Sequence, residues 1–170
     1  MKLNIGGDTV KQGWKILNIQ NKPGVDFVGD ISNLDQFKDG SVDEIYASHV
    51  IEHVDQNNIK KTLNGIYRVL SKNGKIYISV PDMDILCKIF MDPNSSLDMK
   101  WHAMLMMFGG QIDKYDYHYF GWNFLFLNGY LKKVGFRKIE KVKFFGLFDD
   151  TSNYAPYNDV PISLNVIAYK

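Results

Sequence analysis

Residues 42–81 read VDEIYASHVIEHVDQNNIKKTLNGIYRVLSKNGKIYISVP, and this stretch decides the fold. Val42, Ile45, Tyr46 and Ala47 form a strand-like run that ends in a polar turn, Ser48-His49. Asp55 reads as an N-cap for a helix over roughly 56–70, with Ile59, Leu63, Ile66 and Leu70 at helical spacing. Asn73-Gly74 reads as its end. A second strand, Lys75 to Val80, stops at Pro81. A strand–helix–strand unit of this kind favours a parallel pair with a right-handed crossover. Sheets built this way bind ligands beyond the carboxyl ends of their strands, which singles out Ser48-His49.

Upstream lie three short apolar runs, Lys2–Ile5, Lys15–Ile19 and Val25–Val28, punctuated by Gly6-Gly7-Asp8, Asn21-Lys22-Pro23-Gly24 and Gly29-Asp30. Only Gly6–Trp14 separates the first two and only Gln20–Gly24 the next two. A parallel crossover usually takes a dozen residues or more, so the first helices are expected to be reduced or absent. Downstream, Met83–Met91, Leu97–Phe108 and Asn123–Val134 read as helices, with an irregular aromatic run, Tyr115–Trp122, before the third. Arg137–Leu147 and Pro161–Tyr169 read as the last strands, joined by a polar loop, Asp149–Asp159.

The expectation is an α/β protein with one domain spanning residues 1–170, large enough for a single core. Its 20 Lys+Arg balance 19 Asp+Glu, and only Arg68 and Arg137 are arginines. The clustered basic charge of a nucleic-acid footprint is missing. Cys87 stands alone, which excludes a disulfide framework or a cysteine metal site. The opening MKLNIGGD lacks the apolar run of a signal peptide or a membrane span, so a cytoplasmic setting and no membrane partner are expected.

His49-Val50-Ile51-Glu52-His53 is also the H-x-x-E-H pattern of one zinc-enzyme class, in which two histidines hold the ion and the glutamate is the base. The motif starts at a strand end, and no distal acidic partner stands out. No metal is therefore expected, and a zinc hydrolase using His49, Glu52 and His53 is a lesser alternative.

The chain resembles the class I S-adenosylmethionine-dependent methyltransferases, in their small bacterial type 11-like form. The resemblance rests on GSVDEI (40–45), SHVIEHV (48–54), YRVLSKNG (67–74), IYISVP (76–81) and LKKVGF (131–136). It implies a Rossmann-like sheet of seven strands, mainly parallel with an antiparallel last strand, and S-adenosylmethionine as cofactor. Under it, Gly6 and Gly7 form the loop where backbone meets the cofactor's methionine part, which needs residues without side chains. Asn18, with Gln20 nearby, stands where the family places an acid for the ribose hydroxyls, and Asn18→Asp is expected to tighten binding. Asp30 would accept from the adenine amino group and Ile31 would pack on the ring. Ser48 and His49 would line the floor of the cleft.

The resemblance also places Tyr115–Trp122 on the acceptor side. Aromatic faces suit a sulfonium cation, and His118 joins His49 as a candidate base. The implied activity is methyl transfer to a small-molecule or sugar acceptor, a chemistry that asks mainly for alignment and in some cases for proton removal. A fold of this type that binds a ligand without catalysis remains the alternative, favoured by the short glycine loop and by Asn18.

Overall fold

Four short strands and one long one form the sheet of the first half of the chain. The computed structural model describes residues 1–157 and 160–170; of the expected loop Asp149–Asp159, Asn158 and Asp159 lie outside the described residues. Strands β1 (Lys2–Ile5), β2 (Trp14–Asn18), β3 (Phe27–Val28), β4 (Val42–Ser48) and β5 (Leu70–Pro81) are all parallel. Strands β6 (Lys138–Val142) and β7 (Ser163–Tyr169) complete one seven-stranded sheet in the order β3-β2-β1-β4-β5-β7-β6, with β7 antiparallel to both neighbours. The chain reverses direction beside β1, and the crevice at such a switch point is where open α/β sheets bind ligands.

Between β4 and β5 runs α1 (Ile59–Val69), whose buried Ile59, Leu63, Ile66 and Val69 lie along one face. After β5 come α2 (Met83–Met91), α3 (Leu97–Phe108) and α4 (Phe124–Val134), capped by the side chains of Asp82, Ser96 and Asn123. α1 and α4 meet the same sheet face, where Leu3, Ile5, Leu17, Ile45, Ala47, Ile78, Leu127 and Leu131 join one core.

Two expected boundaries move. Asp55 does not cap α1: its carboxylate accepts from Asn57 N at 2.8 Å and shapes a turn, and the helix starts after Asn58. Asn73-Gly74 does not end α1, which stops at Val69. The Val42↔Leu70 pairing jumps to Glu44↔Lys75, so Ser71–Gly74 forms a bulge inside β5. Lys170 serves the helix end instead, donating its ammonium to the carbonyls of Tyr67 at 2.6 Å and Leu70 at 2.7 Å. The sixth strand is also shorter than Arg137–Leu147.

The front crossovers, residues 6–13, 19–26 and 29–41, contain no α-helix. Side chains hold them in place. Asp26 accepts from Ile16 N at 2.8 Å and Lys15 Nζ at 2.7 Å, which together hold its carboxyl below the usual carboxylate range. Arg68, on α1, donates to the carbonyls of Phe37 and Leu34 and to Asp39 Oδ1 at 2.6 Å. The other sheet face is closed by Phe145, Leu147 and Phe148 from the β6–β7 connection, packed on Trp14, Tyr46 and Tyr77. An aromatic lid thus stands where helices would otherwise lie.

Candidate active site

Beyond the carboxyl ends of β1, β2 and β4 lies a cleft of about 740 Å³. Gly6, Asn18, Gln20, Asp30, Ile31, His49 and His53 line it, together with Asp113 and, from the aromatic run, Tyr115 and Tyr119. Of the residues singled out in the sequence, Gly6, Asn18, Asp30, Ile31 and His49 come together here. Gly7, Ser48 and His118 are not among the lining residues.

The floor begins at Gly6. Its φ of 79° is left-handed, and a Cβ there would stand 2.5 Å from Val50 Cγ2. Only glycine fits both constraints. Gly6 N donates to Leu17 O at 2.8 Å, tying the loop to β2. At Gly7 an added Cβ would collide with the side chain of buried Asn4, so this glycine serves packing.

Asn18 is buried, and its amide is fully engaged. Its Nδ2 donates to Gly6 O at 3.2 Å and Gly7 O at 3.1 Å, while its Oδ1 accepts from Gln20 N at 2.9 Å. Asn18 therefore buckles the glycine loop to the end of β2 and keeps no amide hydrogen for a ligand. A carboxylate could not make those two donations, so an acid at this position is incompatible with the loop as built. Gln20, half-buried at the cleft wall, is the side chain that remains available there. Asp30 is exposed; its Oδ1 accepts from Ser32 N at 2.8 Å, a local turn, and Oδ2 remains open to the cleft.

At the end of β4 the backbone does something unusual. His49 has φ 53°, a conformation that costs a non-glycine residue free energy and clusters at functional sites. Its amide donates to Ser79 O at 2.9 Å, and its Nε2 lies 2.9 Å from Ser163 Oγ. Ser163 Oγ in turn donates to Thr151 O at 3.0 Å, so the imidazole is the donor in that pair. Its Nδ1 lies 3.2 Å from Glu52 Oε1. Both nitrogens of His49 thus face protein groups. Ser48 turns away, its Oγ buried without a hydrogen-bond partner among the described residues.

Glu52 is the residue the sequence undervalued. It is 1% exposed, and neither carboxylate oxygen has an aligned hydrogen bond among the described residues. Burial pushes its carboxyl up, but the contact with His49 and the charges of His49, His53 and His118 outweigh this and hold it below the usual carboxylate range. His53 and His118 pack edge to face, their ring centroids 4.7 Å apart. His53 Nδ1 meets Tyr117 O at 3.0 Å and His118 Nδ1 meets Met106 O at 2.9 Å. A carbonyl only accepts, so each Nδ1 carries a proton and donates it. Burial holds His118 below the ordinary imidazole value, with Glu52 pulling the other way. His118 stands behind His53, which lines the cleft in its place. The 3₁₀ turn Ile51–His53 and the bonds from Tyr119 N and Phe120 N to Glu52 O bring the two segments together. No sequence spacing announces that meeting.

Residues 5–78 match the family described as "Methyltransferase domain". No curated protein matches the chain in sequence. Among solved structures, a SAM-dependent methyltransferase from Archaeoglobus fulgidus is similar with a TM-score of 0.62 at 19% identity, over 99% of this chain and 85% of that one. A possible histamine N-methyltransferase from Thermotoga maritima gives 0.60 at 19% identity, over 99% and 81%. The 1,6-didemethyltoxoflavin-N1-methyltransferase of Burkholderia thailandensis, with S-adenosylhomocysteine bound, gives 0.59 at 15% identity, over 99% and 70%. This chain thus matches the methyltransferase-domain family over residues 5–78 and, along nearly its whole length, shares the fold of solved SAM-dependent methyltransferases.

Proposed function

We propose that this protein binds S-adenosylmethionine in the cleft above β1, β2 and β4 and transfers its methyl group to a small-molecule acceptor, a sugar among the candidates. The observation that carries this reading is the convergence of Gly6, Gln20, Asp30 and Ile31 around one cleft of about 740 Å³ at the switch point of the sheet. That volume falls in the range of small-molecule and cofactor sites, roughly 300–1,000 Å³. The residues fit the cofactor: a side-chain-free loop at Gly6, an open carboxylate oxygen on Asp30, an apolar neighbour in Ile31, and the Gln20 amide where the ribose would lie. When bound, the cofactor supplies an activated methyl on a sulfonium.

The chain's part is to position and enclose. Asn18 holds the loop at Gly6 so that backbone can approach the ligand. Asp30 and Gln20 fix orientation. Tyr115 and Tyr119 line the cleft, and aromatic rings suit a neighbouring cation. If the acceptor must lose a proton, His53 Nε2 is the available nitrogen, because both nitrogens of His49 are engaged and His118 lies behind. Two of the similar structures are named for small acceptors, possible histamine and 1,6-didemethyltoxoflavin, which supports a small acceptor here.

The engaged Asn18 also favours a second reading, a ligand-binding fold without turnover. The test is calorimetry with S-adenosylmethionine and S-adenosylhomocysteine, followed by acceptor screening for S-adenosylhomocysteine release. Binding with turnover supports the first reading. Binding without turnover across sugars and small amines supports the second, and no binding removes both.

A further inference from the structure

We propose that Glu52, His53 and His118 form a binding site for a divalent first-row transition-metal ion, with Zn²⁺ as the representative ion. One ligand atom from each lies within 4.8 Å of the other two. Ligands about 2.1 Å from a tetrahedral ion stand about 3.4 Å apart, so side-chain shifts of about 1 Å close the site.

Three independent features build it. Glu52 is buried, and although His49 Nδ1 lies 3.2 Å from Oε1, Oε2 has no partner among the described residues, an arrangement that a cation would complete. Both imidazoles donate Nδ1–H to a backbone carbonyl, His53 to Tyr117 O and His118 to Met106 O. That contact is the one that fixes a metal-binding histidine's tautomer and frees Nε2 for the ion. Finally, His49 leans on Glu52 from outside, 3.2 Å from Oε1, as an outer contact that orients a ligating carboxylate.

The set differs from the H-x-x-E-H trio suggested by spacing. His49 turns its Nε2 to Ser163, and His118, 65 positions after His53, takes the vacated place. Two imidazoles and one carboxylate suit zinc and its first-row neighbours better than calcium or magnesium. Three protein ligands leave at least one position open. His53 lines the cleft, so the ion would stand beside the acceptor side, where it, in place of the His53 lone pair, would lower the pKa of a bound oxygen or nitrogen. This last consequence rests on the methyl-transfer reading; the site itself does not. The ion would also tie the aromatic run to the end of β4.

The test uses tag-free, chelator-treated full-length protein without cofactor, titrated with Co²⁺ by visible absorption and then with Zn²⁺ in competition. The expected result is one equivalent of Co²⁺ with ligand-field bands that Zn²⁺ displaces, and a melting temperature that Zn²⁺ raises. Glu52→Gln and His118→Gln should each weaken binding by roughly tenfold or more and abolish the Zn²⁺-dependent rise in melting temperature. His102→Gln, on α3, should leave both unchanged. If Glu52→Gln does not fold, His118→Gln decides alone. No bands with folded wild type at millimolar Co²⁺, or binding unchanged in His118→Gln, overturns the proposal. Since no cofactor is present, failure here is separate from failure of methyl transfer.

Discussion

The strands in the two halves of this sheet are connected by different means. From β4 onward the crossovers are helices, and α1 and α4 bury continuous apolar faces against the strands. In β1 to β3 the crossovers contain no α-helix, and single polar side chains do the holding: Asn18 on the glycine loop, Asp26 on β2, Arg68 on residues 34–39. The lesson is that a ligand loop at a strand end needs fixed backbone, and that a helix is only one way to fix it. Damage should therefore differ in kind. In the helical half it should be spread over the core; in the front half it should be local and felt at the cleft.

The largest effect tests the helical half. Leu63→Ala, at a fully buried position of α1, should cost about 2–5 kcal/mol of stability. Calorimetry below the melting point should show cofactor affinity nearly unchanged, and an equally large loss of affinity would break the comparison. Asn18→Asp should cost about 3 kcal/mol, because it sets a buried carboxylate against the carbonyls of Gly6 and Gly7 in place of two donated bonds. Here affinity should fall together with stability. Tighter binding would show that this side chain faces the ribose after all.

Gly6→Ala comes next, at about 2 kcal/mol, from a left-handed φ and a Cβ 2.5 Å from Val50 Cγ2. Val50→Ala removes the clash but not the φ cost, so the double variant should recover part of the loss in a denaturation cycle. Full recovery would show that the φ contributes nothing.

The smallest effect lies on the seam between the halves. Glu44 on β4 meets Lys2 of β1 at 2.9 Å, and Tyr77 and Lys75 of β5 at 3.0 and 3.7 Å. Burial pushes its carboxyl up, but these partners outweigh it and the net shift is down. A depressed carboxylate contributes stability above its unfolded value, and that stability is lost as pH falls through the folded one. Glu44→Gln should therefore flatten the acid limb of the stability curve below pH ~4, by about 0.5 kcal/mol after screening. An unchanged limb would mean that the seam is not held by charge.

Much of the fold was legible because it rests on local pattern. Ile59, Leu63 and Ile66 announce α1, and the short spacings after Ile5 and Ile19 announce the missing crossovers. The misplaced boundaries have a common cause: Asp55 and Asn73-Gly74 are residues that serve turns, caps and bulges alike, and tertiary context chose among them. That Gly6, Asp30 and Ile31 line one cleft follows from their positions at strand ends. Asn18 was readable as a position but not in its action, because its partners are main-chain carbonyls 11 and 12 residues away. His53 and His118 were seen separately. Their meeting over Glu52 depends on the fold of the aromatic run, which no period in the sequence encodes.

The central claim is that the cleft built from this helix-poor half binds S-adenosylmethionine. The most direct measurement is calorimetric titration of S-adenosylhomocysteine into wild-type protein and Asp30→Ala. The account predicts one site per chain in the wild type. In the variant, binding should weaken by about 1–3 kcal/mol through the lost adenine hydrogen bond, with only a small fall in melting temperature from the lost Ser32 N turn bond. No heat at millimolar ligand in folded protein, or identical affinities in the two proteins, would contradict it.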